Sequence, residues 1–347
     1  MGRAGLGPRW HGTRLGGSRD PRHAGAGPKR FESASGLSCL STAHPGPDRR
    51  QTADIGVKTR EFWSSYQPGF RFARSAVGTR AFFDEVVQYR YSLEPHIPEV
   101  VRFDRWSGCD VLEAGCGIGT DGARLAAAGA HYTGLDFSPT ALGLAIRRFE
   151  LDDLPGRFLA GSVTCLPFAD DTFDLVLSHG IIHHVPDTAL AVREFRRVLR
   201  PGGTALVMVY HRNSFNYFIT LMLIRRLLVG LLVIPGAASL VTKLTGEPED
   251  VIDGHRRLLS QHGIRYILDR GLFLSNNTDG PGNPLSKVYS RKELSAMFQP
   301  GFPDARTEVR YLNLRLYPGG RRFANSRPGR WLERKVGWHL YIEGTRG

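Results

Sequence analysis

The chain has 347 residues, of which 41% are hydrophobic and 23% charged, enough for one large α/β domain with an elaborated cap or for two modest domains. Its four cysteines (Cys39, Cys109, Cys116, Cys165) form no C-x-x-C pair, which argues against a zinc site or a disulfide framework and fits a reducing, cytoplasmic setting. The net charge of +13 sits at the ends: residues 1–50 hold 9 Lys+Arg against 3 Asp+Glu, residues 291–347 hold 12 against 5, and those between hold 25 against 25, so a nucleic-acid-binding body is disfavoured.

Residues 1–55, from "MGRAGLGPRW" onward, are rich in Gly, Arg, Pro and Ser and lack apolar periodicity, which predicts a disordered tail. They contain no apolar core of a secretory signal; an Arg-rich transit-like segment, or a start site placed too far upstream, are the two readings of them. Order is expected from "REFWSSYQPGF". Phe82, Phe83, Val86, Val87 and Tyr91 then recur at helical spacing, predicting an amphipathic helix in a cap spanning 56–108. These aromatics read as core; the alternative is that Trp63, Tyr89 or Tyr91 closes over the cofactor.

From Asp110 the pattern alternates. "DVLEAG", "HYTGLDFS", "GRFLAGS", "FDLVLSHG" and "GGTALVMVYH" read as strands. "DGARLAAAGA", "PTALGLAIRRFEL" and "DTALAVREFRRVLRPGG" read as helices, the second with Ser138 as N-cap and Pro139 at its first position. Such alternation over a core of 109–211 makes a parallel sheet covered on both faces, with a ligand at the carboxyl ends of its strands. Residues 218–241, "FITLMLIRRLLVGLLVIPGAASLV", are the most apolar stretch, but Arg225, Arg226, Gly230 and Pro235 keep any apolar run below the roughly 20 residues of a membrane span. A helical lid within an insertion of 212–289 is the favoured reading; docking at a membrane interface, or an apolar acceptor pocket, is the alternative. Asp279 to Pro284 is dense turn chemistry. Ser290 and Glu293 then form a capping box for a helix through Phe298, and "TEVRYLNLRLY" and "VGWHLYIEG" supply the last strands of a segment 290–347.

The loop "GCGIGTDG" (115–122) reads in two registers. Gly117, Gly119 and Gly122 fit the G-x-G-x-x-G of dinucleotide sites, whereas Glu113, Gly115, Gly117 and Gly119 fit the E-x-G-x-G-x-G of S-adenosylmethionine (SAM) sites. Asp136, ending the second strand of the alternating region, is placed to bind ribose hydroxyls in either case. What separates the two lies downstream: "GSVTCLPFADDTFDLVLSHGIIHHVPD" followed by "EFRRVLRPGGTALVMVY". With the glycine loop, these runs resemble the class I SAM-dependent methyltransferases, in the type-11 branch that includes the ubiquinone and menaquinone biosynthesis enzymes, over about residues 110–210.

The resemblance implies a Rossmann-like α/β fold: a mostly parallel seven-stranded sheet with helices on both faces and, here, an inserted apolar helical lid, so that 56–347 is one methyltransferase domain. It implies SAM as cofactor, with Glu113, Gly115, Cys116, Gly117 and Gly119 around its methionine part, Asp136 on the ribose and Phe137 against the adenine. Ser162 stands where many members carry an acid, and the backbone of Val163 reads the ring edge; Ser178, His179 and Gly180 lie beside the sulfonium. Outside this core, "EFW", "RYSLEPHI", "FDRW" and "DGPGNP" resemble a set of bacterial methyltransferase-like proteins, which argues that the first ordered segment and the late loop belong with the core.

Methyl transfer from a sulfonium needs alignment and exclusion of water, plus a base where the acceptor loses a proton. His183 and His184, following the fourth strand of this core, are base candidates or loop-holding residues, with Tyr210 as a third candidate; His211, Asp279 and Asn283 are placed to orient an acceptor. Adjacent histidines also suggest a metal, but neighbouring side chains diverge and no carboxylate completes a set, so no metal is expected. The function read from all this is methylation of a small molecule, hydrophobic, quinone- or lipid-like or a secondary metabolite, at O, N or C. The alternatives are a nucleic-acid methyltransferase, disfavoured because "SHGI" replaces the Asn/Asp-Pro-Pro-aromatic motif of amino-methylating DNA enzymes, an NAD(P)-dependent oxidoreductase, and a non-catalytic SAM-binding protein. Peripheral membrane contact through 218–241 is the expected further association.

Overall fold

The computed structural model describes residues 31–33, 49–65, 70–314, 317 and 319–347. Among them eight strands form one sheet: β1 (Phe31–Ser33), β2 (Asp110–Ala114), β3 (His131–Asp136), β4 (Arg157–Ala160), β5 (Phe173–His179), β6 (Leu199–Tyr210), β7 (Arg306–Arg310) and β8 (His339–Thr345), in the order β1-β4-β3-β2-β5-β6-β8-β7. The pairs from β1 to β6 are parallel, whereas β8 runs antiparallel to both β6 and β7. β2 through β8 are the seven strands expected. Chain order runs outward from β2 to β3 and β4 on one side and, after a long crossover, from β5 to β6 on the other. The crevice beyond the carboxyl ends of β2 and β5 is therefore the switch point where such sheets bind ligands.

Successive side chains of a strand point to opposite faces, and the two main apolar clusters follow that period. Val111, Leu175, Leu177, Leu206 and Met208 pack in one cluster. Leu112, Val176, Val207 and Val209 pack in the other. Helices α4 (Thr120–Ala127) and α5 (Pro139–Leu151) cover the first face, through Ala123, Leu125, Leu142 and Phe149. α6 (Thr188–Val198) and α12 (Arg291–Phe298) cover the second, through Val192, Phe195, Leu294 and Phe298. The local punctuation is as read from the sequence: Ser138 accepts the Ala141 amide, and Ser290 with Glu293 closes a capping box.

Before the core lie α1 (Arg49–Ser65), α2 (Arg80–Leu93) and α3 (His96–Val101), with Phe82, Phe83 and Val86 of α2 buried. The sequence places a disordered tail up to residue 55, but α1 already begins at Arg49 and Phe31–Ser33 pairs with β4. Edge pairing uses backbone groups, so side-chain pattern gives little warning of it; the rest of the proposed tail lies outside the described residues. Cys165 is disulfide-bonded, and Cys109 and Cys116 are free, against the expectation of no disulfide. Spacing along a chain does not report a pairing set by three-dimensional approach.

The apolar run at 218–241 is divided among a π-helix (Asn216–Arg225), α7 (Arg226–Leu231) and α8 (Ala237–Thr245), followed by α9 (Glu249–His262), α10 (Arg265–Leu268) and α11 (Arg270–Thr278). Arg225, which interrupts the run, is the centre of a polar network: it donates to Asn277 Oδ1 at 2.7 Å and to Glu247 Oε1 at 2.6 Å. Among the described residues no helix is long and apolar enough to cross a membrane. α13 (Gly320–Ala324) and α14 (Arg327–Val336) precede β8, and β7 stops at Arg310, short of the strand expected from "TEVRYLNLRLY".

Candidate functional site

The glycine loop opens directly from β2. The Gly115 and Cys116 amides both donate to the Leu135 carbonyl, at 2.7 and 3.0 Å, which bends the chain back on β3. Gly115, Gly117 and Gly119 all have positive φ, a region that costs other residues about 1–2 kcal/mol. A Cβ at Gly115 would lie 2.4 Å from Ile181 Cγ1, whereas one at Gly117 would meet nothing within 4 Å. Gly117 thus opens onto free space, a cradle that a ligand can fill. Asp136 uses both carboxylate oxygens to hold this loop, accepting the Gly117 amide and the Ser138 amide at 2.9 Å each. Glu113 is buried and accepts the Tyr132 hydroxyl at 2.7 Å; burial first, and then Asp121, raise its carboxyl above the usual range.

On the far side of β3, Phe137 is half-buried and Ser162 is exposed, its Oγ accepting the Thr164 amide at 3.2 Å. The Val163 side chain is buried in the core. Ser178 is fully buried and donates to the Ala114 carbonyl, tying β5 to the loop, and Gly180 turns the chain at φ 80°.

Above the glycine loop lies a charged network the sequence reading did not assemble. Arg90 donates to Asp121 Oδ2 at 2.6 Å and to His179 Nδ1 at 3.2 Å, and Tyr91 donates to Asp121 Oδ1 at 2.6 Å. Because a guanidinium can only donate, His179 is neutral with its proton on Nε2, which donates to Tyr341 at 2.8 Å. Burial, and then the Arg90 charge, push this imidazole down to about 3. His96, His339 and Glu94 complete the cluster. Arg90, Tyr91, Glu94 and His96 are all in "RYSLEPHI", so that motif was the available signal. Tyr89, by contrast, stacks on Phe72.

The strongest convergence is at His184. A carbonyl only accepts, so His184 Nδ1 carries the proton it donates to the Leu285 carbonyl at 2.7 Å, and the lone pair is on Nε2. Nε2 is buried without a hydrogen-bond partner among the described residues and lies 3.6 Å from Asp279 Oδ2. Asp279 Oδ1 accepts the Tyr210 hydroxyl at 2.7 Å, and Asn283 Nδ2 donates to Asp279 Oδ2 at 3.3 Å and to Ser286 at 3.0 Å. His183, fully buried with both ring nitrogens unpartnered among the described residues, lies between His184 and Tyr210, at 4.2 and 4.0 Å between ring centres. Trp338 stacks on Tyr210 at 4.4 Å and Trp63 approaches His184 at 5.0 Å. Burial lowers both histidines; for His184, Asp279 and the Leu285 carbonyl oppose that shift.

The fold therefore gathers His183, His184, Tyr210, Asp279 and Asn283. His211 is not among them: it is buried on the other side of the strand end and its ring bonds the Gly337 carbonyl at 3.0 Å. Leu285, Ser286 and Trp338 were missed, since a carbonyl, a serine and a distant tryptophan carry no local signal. Trp63 and Asp279 belong to "EFW" and "DGPGNP", two of the four outlying motifs, which meet on either side of His184.

A family model described as a methyltransferase domain, of type 11, matches residues 112–207. The chain is 30% identical over 185 residues to the ubiquinone biosynthesis O-methyltransferase of Aromatoleum aromaticum, covering 53% of this chain and 72% of that protein. It is 25% identical over 246 residues to the protein of the same name from Methylobacterium sp. strain 4-46, covering 71% and 90%. Among solved structures, magnesium protoporphyrin IX methyltransferase from Synechocystis PCC 6803 aligns with 84% of this chain and 100% of that one, at 14% identity and a TM-score of 0.47.

Proposed function

Since the chain belongs to the class I SAM-dependent methyltransferases of the type-11 branch, we propose that it methylates a hydrophobic, planar small molecule whose reacting atom must lose a proton, with His184 as the base. Membership of that family sets aside the nicotinamide reading of the glycine loop. When bound, SAM supplies a methyl carbon already activated by its sulfonium. Glu113, Gly115, Cys116, Gly117 and Gly119 would hold the methionine part, Asp136 and Phe137 the ribose and adenine, and Ser162, Val163, Ser178, His179 and Gly180 the remaining edge. The open space beyond Gly117 fits that role, and Asp136 holds the glycine loop that would frame it.

The observation that carries the reading is the single lone pair at His184 Nε2, fixed by the Leu285 carbonyl and backed by Asp279. His184 would take, at Nε2, the proton that the acceptor gives up on methylation. Asp279 stabilises the imidazolium that results, and Tyr210 and Asn283 hold Asp279 in place. His183 offers its free ring nitrogens to a second polar group of the acceptor, while Trp63, Tyr210 and Trp338 supply aromatic walls. The names of the relatives, ubiquinone biosynthesis O-methyltransferases, favour an oxygen on a quinone-like ring. Membrane contact by residues 218–241 belongs to the same reading, supported by the exposed Phe218, Leu223, Leu227, Val233, Ile234 and Leu240.

Incubation of the enzyme with methyl-labelled SAM and an extract of its source, followed by untargeted mass analysis, tests this. One hydrophobic compound should gain one labelled methyl, and gain little with the His184→Ala variant. Label in a nucleic acid or a strongly polar metabolite, or unchanged transfer by that variant, would overturn it.

A further inference from the structure

We propose that the corner of the lid formed by the end of α9, α10 and the start of α11 docks on an anionic phospholipid surface, a proposal that rests on reading the lid as membrane-facing. Ile264 and Leu268 stand four residues apart on one side of this corner, and they are 66% and 68% exposed. Leu227 of α7, the helix on which α10 packs through Tyr266 and Ile267, is 63% exposed. Leaving large aliphatics this bare forgoes burial worth roughly 25 cal/mol per Å², and a partner that covers them recovers it.

Charge identifies the partner. Residues 253–270 carry four arginines, Arg256, Arg257, Arg265 and Arg270, against two aspartates. All four arginines are exposed. Arg256 shares Asp253 at 3.3 Å and Arg265 lies 3.9 Å from Asp269, exposed pairs that release a guanidinium at little cost. A single four-residue helix at a turn offers far less than the about 800 Å² per partner of a stable protein interface. It suits insertion between headgroups: the aliphatics enter the acyl boundary while the guanidinium groups reach lipid phosphates. The acidic first turn of α9 (Glu249, Asp250) lies at its opposite end, which orients the corner toward an anionic plane.

Vesicle flotation of the full chain tests the proposal, with phosphatidylcholine vesicles against vesicles containing about one-third phosphatidylglycerol. Binding is expected on the anionic vesicles, weakening about fivefold for each arginine converted in the series Arg256→Gln, Arg257→Gln, Arg265→Gln, and falling with added salt. Ile264→Ser/Leu268→Ser should lose roughly tenfold or more of the binding, with melting temperature and SAM affinity unchanged. No flotation, equal flotation on neutral vesicles, undiminished binding by the serine variant, or conversion of an oligomer to a monomer by that variant would each overturn it. Methyl transfer to a detergent-dispersed acceptor, measured separately, reports on the catalytic reading, so that failure of either idea is recognised by itself.

Discussion

His184 Nε2 lies 3.6 Å from Asp279 Oδ2, while the opposite edge of the same ring is held at 2.7 Å by the Leu285 carbonyl. A ring pinned on one side and faced by a carboxylate on the other is prepared to accept a proton on one atom only. Replacing His184 by Ala should lower kcat by about 10²–10⁴ with SAM affinity retained. Calorimetry and steady-state kinetics together separate this from a structural role, which would disturb both.

Asp279→Asn should lower kcat by about tenfold or more and move the acid limb of the pH–rate profile to lower pH. Burial holds His184 below its ordinary 6.5 and Asp279 opposes that shift, so loss of the carboxylate lets the pKa fall further. In the wild-type enzyme the neutral base is populated above pH 6.5, and the rate declines only beneath it. An acid limb unmoved by the substitution would detach Asp279 from His184.

Asp136→Ala is expected to cost both cofactor affinity and stability. The sequence places Asp136 as a ribose ligand, but its two oxygens also satisfy the Gly117 and Ser138 amides. Leaving buried donors unpaired costs about 1–3 kcal/mol each. Thermal melting without SAM should already be lowered; an unchanged midpoint would show that water replaces the carboxylate.

Gly115→Ala should destabilise by about 2–4 kcal/mol, since φ is positive and the new Cβ would press on Ile181. Ile181 leads into the turn that carries His183 and His184, so kcat should fall along with the melting temperature. Melting and turnover measured on one preparation would show whether the two effects travel together.

Stability should fall as the pH drops from 6.5 toward 3. Burial, the first cause in each case, depresses His96, His179 and His255 to about 3, with His183 and His339 also well down. In this window the unfolded chain binds protons that the fold refuses, so stability present above pH 6.5 is lost at about 1.4 kcal/mol per pH unit for each histidine. Glu113 and Asp136, raised by burial, act in the opposite sense above their ordinary range but are fewer. Denaturant midpoints that stay level between pH 7 and 5 would contradict this.

The strands and helices from Asp110 to Tyr210 were legible because the apolar runs, the glycine turn and the Ser138 cap are local and agree with one another. Leu285, Ser286 and Trp338 were not, because each acts through a contact more than a hundred residues distant or through backbone. His211 looked as well placed as Tyr210, but adjacent strand residues face opposite sides, and only the Tyr210 face meets Asp279.

By itself the sequence determined the alternating strands and helices, the switch point and a tight glycine turn, since these follow from period and turn chemistry within about a hundred residues. The sulfonium cofactor was read from the resemblance of the downstream motifs. Only the tertiary structure decided that Trp63 and Asp279, 216 positions apart, close on the same imidazole. The proton-accepting atom of His184 is chosen by the hydrogen bond on its other edge, and that bond exists only once the late loop has folded back across the sheet.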